Sequence, residues 1–424
     1  VLDLKFIRQN SDLVADAVKV KEIELDLKTL LSLDQKILTA KKTLQQLEEQ
    51  KNSNAKQVAK ISPEQRAEFI AKGRSIAADI EQLKPEIKQL EEQLQQLLWL
   101  VPNIPDPNAP IGVSEDDNQE IKCCGTIRTF DFTPLDHVEI LEQNNWADLH
   151  RIANVAGTRS YTLTNEMVLL EMALLQFAIA TMQQAGFTPI TIPALAREAA
   201  FIGTGHFPAA RDQVYNLDQE DLYLTGTSEV VLNSLHSGEN LTHENLPILY
   251  AGFSPCFRRE AGSSGRDTRG LIRVHQFYKV EQFVICRNDQ VEAESWHQKL
   301  LQLSEQILQD LELPYRIMDV CTGDMGAGKV RQYDLEAWVP SEQQYRETHS
   351  CSSLYDWQAR RANLRYRDSD GKMKYCYTLN NTAIATPRIL VPLLENHQNA
   401  DGSVNIPAKL QPYLAGASII KGKQ

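Results

Sequence analysis

The sequence predicts an α+β protein in two parts: an N-terminal antiparallel two-helix coiled-coil arm, then a domain built on an antiparallel β-sheet flanked by helices. Two observations carry that prediction. Ile76, Ile80, Leu83, Ile87, Leu90, Leu94 and Leu97 alternate spacings of four and three without a break, which is a heptad seam. Beyond residue 120 short strand-like runs alternate with helices, and strands dominate from 213 to 286 and again from 314 to 382. At 424 residues the chain has room for two or three domains and a large core.

Residues 1 to about 25 carry Leu2, Leu4, Phe6, Ile7, Leu13, Val14 and Val18, which suit a short packed segment and a helix. A partner for the seam precedes it at Ile37, Ala40, Leu44 and Leu47, continuing through Lys51, Asn54 and Val58. Between the two legs stands Ile61-Ser62-Pro63-Glu64, where Ser62 suits an N-cap and Pro63 the first helical position. Roughly 35 residues per leg at 1.5 Å rise give a hairpin about 50 Å long. Pro85 inside the second leg removes a backbone hydrogen bond to Glu81, costs about 3 kcal/mol and predicts a kink. Prolines 102, 105 and 107 end the helix, and a Pro/Asn/Asp-rich linker follows. The expected division is 1–105 for the domain carrying the arm (about 26–100), 106–120 for the linker and 121–424 for the sheet domain.

A composition of 42% hydrophobic and 24% charged residues is that of a soluble globular protein. No run of about 18 apolar residues is expected from the sequence, and so no membrane span. The opening VLDLKFIRQN lacks the apolar core of a secretory signal. Seven scattered cysteines without a C-x-x-C pair point to reduced cytosolic thiols and no dedicated zinc site. A net charge of −12 argues against nucleic-acid binding by the whole surface. Residues 50–75 are the exception, with Lys51, Lys56, Lys60, Arg66, Lys72 and Arg74 against Glu64 and Glu68, a net of +4. A positive outer half on a two-helix arm is what gripping an RNA backbone needs.

The most informative stretch is FRREAGSSGRDTRGLIRVHQFYKVE, residues 257–281. Strand alternation from 272 to 285 puts Arg273, His275, Phe277, Lys279 and Glu281 on one face, and Arg258 and Glu260 share a face in the incoming strand. Guanidinium groups suit phosphate oxygens, the ring suits a flat base, and the carboxylates suit an ammonium or hydroxyl. Four-residue steps of roughly 13 Å let Arg273, Phe277 and Glu281 bind different parts of one nucleotide-sized ligand.

This segment resembles motif 2 of the class II aminoacyl-tRNA synthetases, and within that class the seryl-tRNA synthetase family, a likeness that runs the full length of the chain. Gly186-Phe187 with Pro189 and Pro193 is similar to motif 1, which in the family builds a homodimer interface. Thr225-Gly226-Thr227-Ser228-Glu229 matches the T-x-E loop, with Gly226 where proline is usual. The resemblance assigns serine binding to Thr227, Ser228, Glu229, Arg258, Glu281 and Thr382, the glutamate at 229 meeting the α-ammonium. ATP falls to Arg258, Arg259, Glu260, Arg273, Val274 (chiefly backbone), Phe277, Glu347, Thr348, His349, Ser350 and Arg388. Glu347 and Ser350 would also hold Mg²⁺, as oxygen ligands on a hard cation. His349 and Ser353 replace a serine and an asparagine usual in the E-x-x-S-C-S-N element, and Asn380-Asn381-Thr382 replaces N-G-S in motif 3.

What the resemblance implies is a serine–tRNA ligase with a class II catalytic domain, using ATP and Mg²⁺. Its tRNA partner is tRNA(Ser), whose long variable arm the hairpin grips through Lys51, Lys56, Lys60, Arg66, Lys72 and Arg74; a selenocysteine tRNA is left open as a second acceptor. Arg258 and Arg388 would be the catalytic residues, acting by positioning and charge stabilisation. Two alternatives stand beside this reading. A paralogue serving a non-tRNA acceptor would have a short arm or none, and an inactive tRNA-binding homologue would lack an arginine or glutamate of motif 2 or 3.

Overall fold

The computed structural model describes residues 1–58, 63–262 and 269–422, with the side chains of 63–65 outside the description. The chain forms two compact units, one of Leu2–Lys19 with Ile23–Pro102, the other of Asn103–Gln424 with Val1 and Val20–Glu22.

In the N-terminal unit, Asp3 caps helix α1 (Leu4–Gln9) by accepting from the backbone of Lys5 and Phe6. After α2 (Ser11–Val20) come the long helices α3 (Leu27–Val58) and α4 (Pro63–Leu100). The seam holds: Ile76, Ile80, Ile87 and Leu94 are buried, as are Ile37 and Asn54 on the other leg. Asn54 sits there because its side-chain N–H donates to the Phe69 carbonyl at 2.7 Å. Exposed pairs Lys41–Glu91 (2.6 Å) and Lys84–Glu48 (3.3 Å) fix the antiparallel register, though such pairs contribute only about 0–1 kcal/mol each. Helix α4 continues unbroken through Pro85, where Glu81 and Pro85 are both exposed and water can satisfy the freed carbonyl. Lys60, Ile61 and Ser62 lie outside the described residues.

The second unit is built on an eight-stranded sheet of β1 (Gln119–Cys124), β2 (Thr188–Thr191), β3 (Ile248–Phe257), β4 (Gln276–Cys286), β5 (Tyr315–Asp319), β6 (Arg331–Val339), β7 (Gln344–Tyr355) and β8 (Tyr377–Thr386). Their order is β1-β5-β6-β7-β8-β4-β3-β2, antiparallel except where β2 runs parallel to β3. Pro189 is tolerated on β2 because that strand is an edge.

Helices α5 (Glu166–Gln184), α6 (Glu229–Ser234), α7 (Gln290–Asp310), α8 (Trp357–Ala362) and α9 (Leu390–His397) pack around this sheet. Helix α5 is the one described helix long and apolar enough, by length and composition, to cross a bilayer. It buries Met167, Leu170, Leu174, Phe177 and Met182 in the main core instead, which accounts for its composition.

The strand bounds differ from the expected alternation. β4 starts at Gln276, and residues 272–275 form bends rather than strand. Arg258 and Glu260 likewise lie past the end of β3, although the Arg258 N–H still bonds the His275 carbonyl at 3.0 Å. Glu260 takes a left-handed φ of 51°, a conformation that costs a non-glycine residue about 1–3 kcal/mol and turns the chain at the mouth of the cavity described next.

Candidate active site

A cavity of about 420 Å³ opens in the second unit. Its lining includes Thr227, Glu229, Arg258, Glu260, Arg273, Val274, Phe277, Glu281, Glu347, Thr348, Ser350, Thr382 and Arg388. Sheet register explains how segments so distant in sequence converge. Glu281 on β4 lies directly between Thr382 on β8 and Gly252 on β3. On the next pair of strands Glu347 faces Glu336 and Ser350 faces Asp334.

One end of the cavity is a buried polar pocket. Glu229 opens α6, and its Oε1 accepts from Gln358 Nε2 at 2.7 Å and from Asn380 Nδ2 at 3.0 Å. Gln358 is itself pinned, donating to the Thr204 carbonyl at 3.1 Å and accepting from the Thr378 hydroxyl at 2.8 Å. Both holders of Glu229 are neutral, so they orient the carboxylate without cancelling its charge. Lys279 pairs with Glu281 and donates to Thr227 Oγ1 at 2.8 Å. Burial pushes the Glu281 carboxyl above its ordinary range, and Lys279 pulls it back.

The other end is cationic and aromatic. The Arg258 guanidinium stands 5.2 Å over the Phe277 ring, and its Nε reaches the Gly226 carbonyl at 3.4 Å. A Cβ at residue 226 would come within 3.3 Å of Arg258 Cγ, so glycine there gives that side chain its room. Arg273 donates to Glu260 at 3.3 Å. Arg388 is held by two carbonyls, Ile272 at 3.1 Å and Glu347 at 3.2 Å, which aim its guanidinium into the cavity. Glu347 and Ser350 line the same space, the Ser350 hydroxyl accepting from Gln332 Nε2 at 3.0 Å. Burial and the nearby Glu347 carboxylate push Asp334, behind them, up to about 7.

Three expected contacts fall elsewhere. The Ser228 side chain does not line the cavity; its hydroxyl turns to the Gly252 carbonyl at 3.4 Å under α6. Arg259 is exposed and also off the lining, its backbone N–H tied to the Gln213 carbonyl at 2.9 Å. His349 is buried away from the cavity because β7 carries a bulge between Glu347 and His349 opposite another on β8 between Thr382 and Ile384. The bulge on β8 leaves the Ala383 carbonyl in need of a donor, and His349 Nε2 supplies it at 3.0 Å. Burial pushes this histidine down to about 4, so the ring is neutral.

The arm residues Lys51, Lys56, Arg66, Lys72 and Arg74 are all exposed on α3 and α4. Lining residues that the sequence did not mark for the site include Lys279, His206, Lys329, Gln358 and Asn380. Lys279 did carry a signal, since it shares the alternation of Phe277 and Glu281.

A buried carboxylate pocket opening onto an arginine-rich, aromatic cleft over an antiparallel sheet defines a class II aminoacyl-tRNA synthetase core, and the family model described as tRNA synthetase class II core domain (G, H, P, S and T) matches residues 214–397. A second, for the seryl-tRNA synthetase N-terminal domain, matches residues 1–105. The serine–tRNA ligase of Deinococcus radiodurans is 55% identical over 420 residues, 99% of each chain. The crystal structure of seryl-tRNA synthetase from Pyrococcus horikoshii complexed with ATP superposes with a TM-score of 0.94 at 39% identity, covering all of both chains. That of the cytoplasmic serine–tRNA ligase of Naegleria fowleri in complex with AMP gives 0.88 at 26% identity, covering 100% of this chain and 99% of that one. The chain belongs to the seryl-tRNA synthetase family.

Proposed function

We propose that this enzyme activates L-serine with ATP and transfers the seryl group to the 3′ end of tRNA(Ser). The observation that carries the reading is the register placing Glu281 beside Thr382, with Glu229 at the same end and Arg258, Phe277 and Arg388 at the other. Glu229 receives the α-ammonium, and Glu281 and Thr382 receive the side-chain hydroxyl. Alanine brings no hydroxyl to those two groups, which is a strong basis for rejection. Phe277 stacks on adenine, Glu260 accepts from its amino group, and Arg258 binds the α-phosphate and the serine carboxylate. Arg273 and Arg388 hold the outer phosphates.

The serine carboxylate oxygen attacks the α-phosphorus, the bond to the bridging oxygen breaks, and pyrophosphate leaves. A ribose hydroxyl of the tRNA end then attacks the seryl carbonyl carbon and AMP departs. The donor set fits Mg²⁺, which takes one or two carboxylate or hydroxyl ligands together with substrate phosphates; Glu347 and Ser350 offer such oxygens. When bound, the ion supplies charge neutralisation of the phosphates.

The exposed cations of the arm track the RNA backbone, and Lys60, outside the described residues, belongs to the same group. Seven free cysteines suit a reducing cytoplasm. Serine-dependent ATP–pyrophosphate exchange, with alanine and threonine as controls, tests the first step. Charging of tRNA(Ser) transcripts tests the second, and a selenocysteine tRNA transcript in the same assay decides the further acceptor. Absence of exchange with serine in folded, Mg²⁺-supplied enzyme would sink the reading.

Two further outcomes are expected. Gln358→Ala removes one holder of a charged carboxylate, a bond of about 1.5–3 kcal/mol, so the serine KM should rise about 10–100-fold with the ATP KM unmoved. On α5, Val168, Leu169 and Met172 form an exposed apolar strip beside a buried face. That strip supports a homodimer, and Leu169→Glu with Met172→Glu should shift the mass measured by light scattering from dimer to monomer.

A further inference from the structure

Lys279 has no task in the chemistry above, yet it is only 6% exposed on a strand that lines the serine end of the cavity. Lysine is seldom buried so deeply unless it is paired. Its ammonium touches two walls at once, Glu281 on its own strand and the Thr227 hydroxyl on the loop before α6. Thr227 Oγ1 also accepts from the Glu229 backbone N–H at 3.2 Å. With its oxygen accepting twice, the hydroxyl is left to act as a donor. One side chain therefore ties together two of the groups that surround the bound amino acid, Glu281 and Thr227.

The charges point the same way. Glu281 is faced by Lys279 from its own strand, by Cys256 on β3 and Cys351 on β7, by Glu229 on α6 and by Arg258 beyond β3. Arg258 is committed to the phosphate and the substrate carboxylate. Lys279 is then the cation set against two carboxylates, and the substrate ammonium is the second. Without Lys279, Glu281 would hold a proton in the desolvated pocket and present an O–H donor where the serine hydroxyl needs an acceptor.

We propose that Lys279 is the positioning residue for the serine hydroxyl: it keeps Glu281 a carboxylate, locks Thr227, and so sets selectivity for a hydroxyl-bearing amino acid over alanine. The proposal rests on the serine-activation reading above.

The test is the pH profile of serine-dependent exchange from pH 6 to 9 for wild type, Lys279→Met and Lys279→Gln, with the serine/alanine ratio measured alongside. Both variants should raise the serine KM at least about 30-fold at neutral pH, the lower end of the scale for losing one partner of a buried charge pair. Both should also recover part of that loss as pH rises and residue 281 ionises, a limb the wild type lacks, and Glu281→Gln in the Lys279→Met background should remove the limb. The serine/alanine ratio should fall in step. Lys279→Gln keeps a donor toward Thr227, so it remains informative where the methionine variant does not fold. Profiles parallel to wild type, or an unchanged serine/alanine ratio, in either folded variant would overturn the proposal. A wild type inert with serine would overturn the activation reading instead.

Discussion

Arg258→Ala is expected to lower kcat/KM for serine-dependent ATP–pyrophosphate exchange by about a thousandfold, the upper range for one preorganised donor at a developing charge. The side chain is aimed before any substrate arrives. Its backbone N–H extends the ladder to His275, its Nε reaches the Gly226 carbonyl, and its guanidinium stacks over Phe277. In the proposed reaction it touches both reactants, the serine carboxylate and the α-phosphate, so its removal harms orientation as well as charge stabilisation. Arg258→Lys should recover little, because an ammonium lacks the planar fork that spans two oxygens. The side chain is exposed, so the melting temperature should move by no more than a few degrees. Loss of less than tenfold in exchange would remove Arg258 from the catalytic role.

Much of this molecule was legible before any coordinates. The arm is legible because a heptad seam is a local property, and Ile76, Ile80, Ile87 and Leu94 are buried as their spacing requires. The motif resemblance located the segments that meet in the cavity. It did not resolve which side chain within a segment faces inward. Ser228 and Glu229 are neighbours in one loop, yet Gly252 has no side chain to keep α6 away, and Ser228 settles on that backbone while Glu229 looks into the cavity. His349 lies between two lining residues and is turned away by a bulge that no local pattern marks. Lys279 shows the converse: alternation already put it on the face of Phe277 and Glu281, but its partner on the loop before α6, Thr227, is fixed only by tertiary packing. Gln358 acts through Glu229 from a different helix, a contact that depends wholly on tertiary packing.

Glu229→Gln is the second large effect, and it should separate binding of the amino acid from binding of the nucleotide. The substitution keeps the shape of the side chain and removes its charge. Gln358 and Asn380 can still donate to the amide oxygen, so the pocket stays assembled and the protein folded. What is lost is the anionic partner of a desolvated ammonium, worth about 2–5 kcal/mol, or roughly 30-fold to several thousandfold in the serine KM. Nothing at the arginine-rich end changes, so the KM for ATP at saturating serine should stay within about twofold. Glu229→Asp gives the complementary result: it keeps the charge but shortens the reach away from Gln358, so it should lose less than the glutamine variant. A serine KM that tracks charge at residue 229 while the ATP KM stays constant assigns Glu229 to the ammonium. Equal movement of both KM values would mean that Glu229 shapes the whole cavity rather than one subsite.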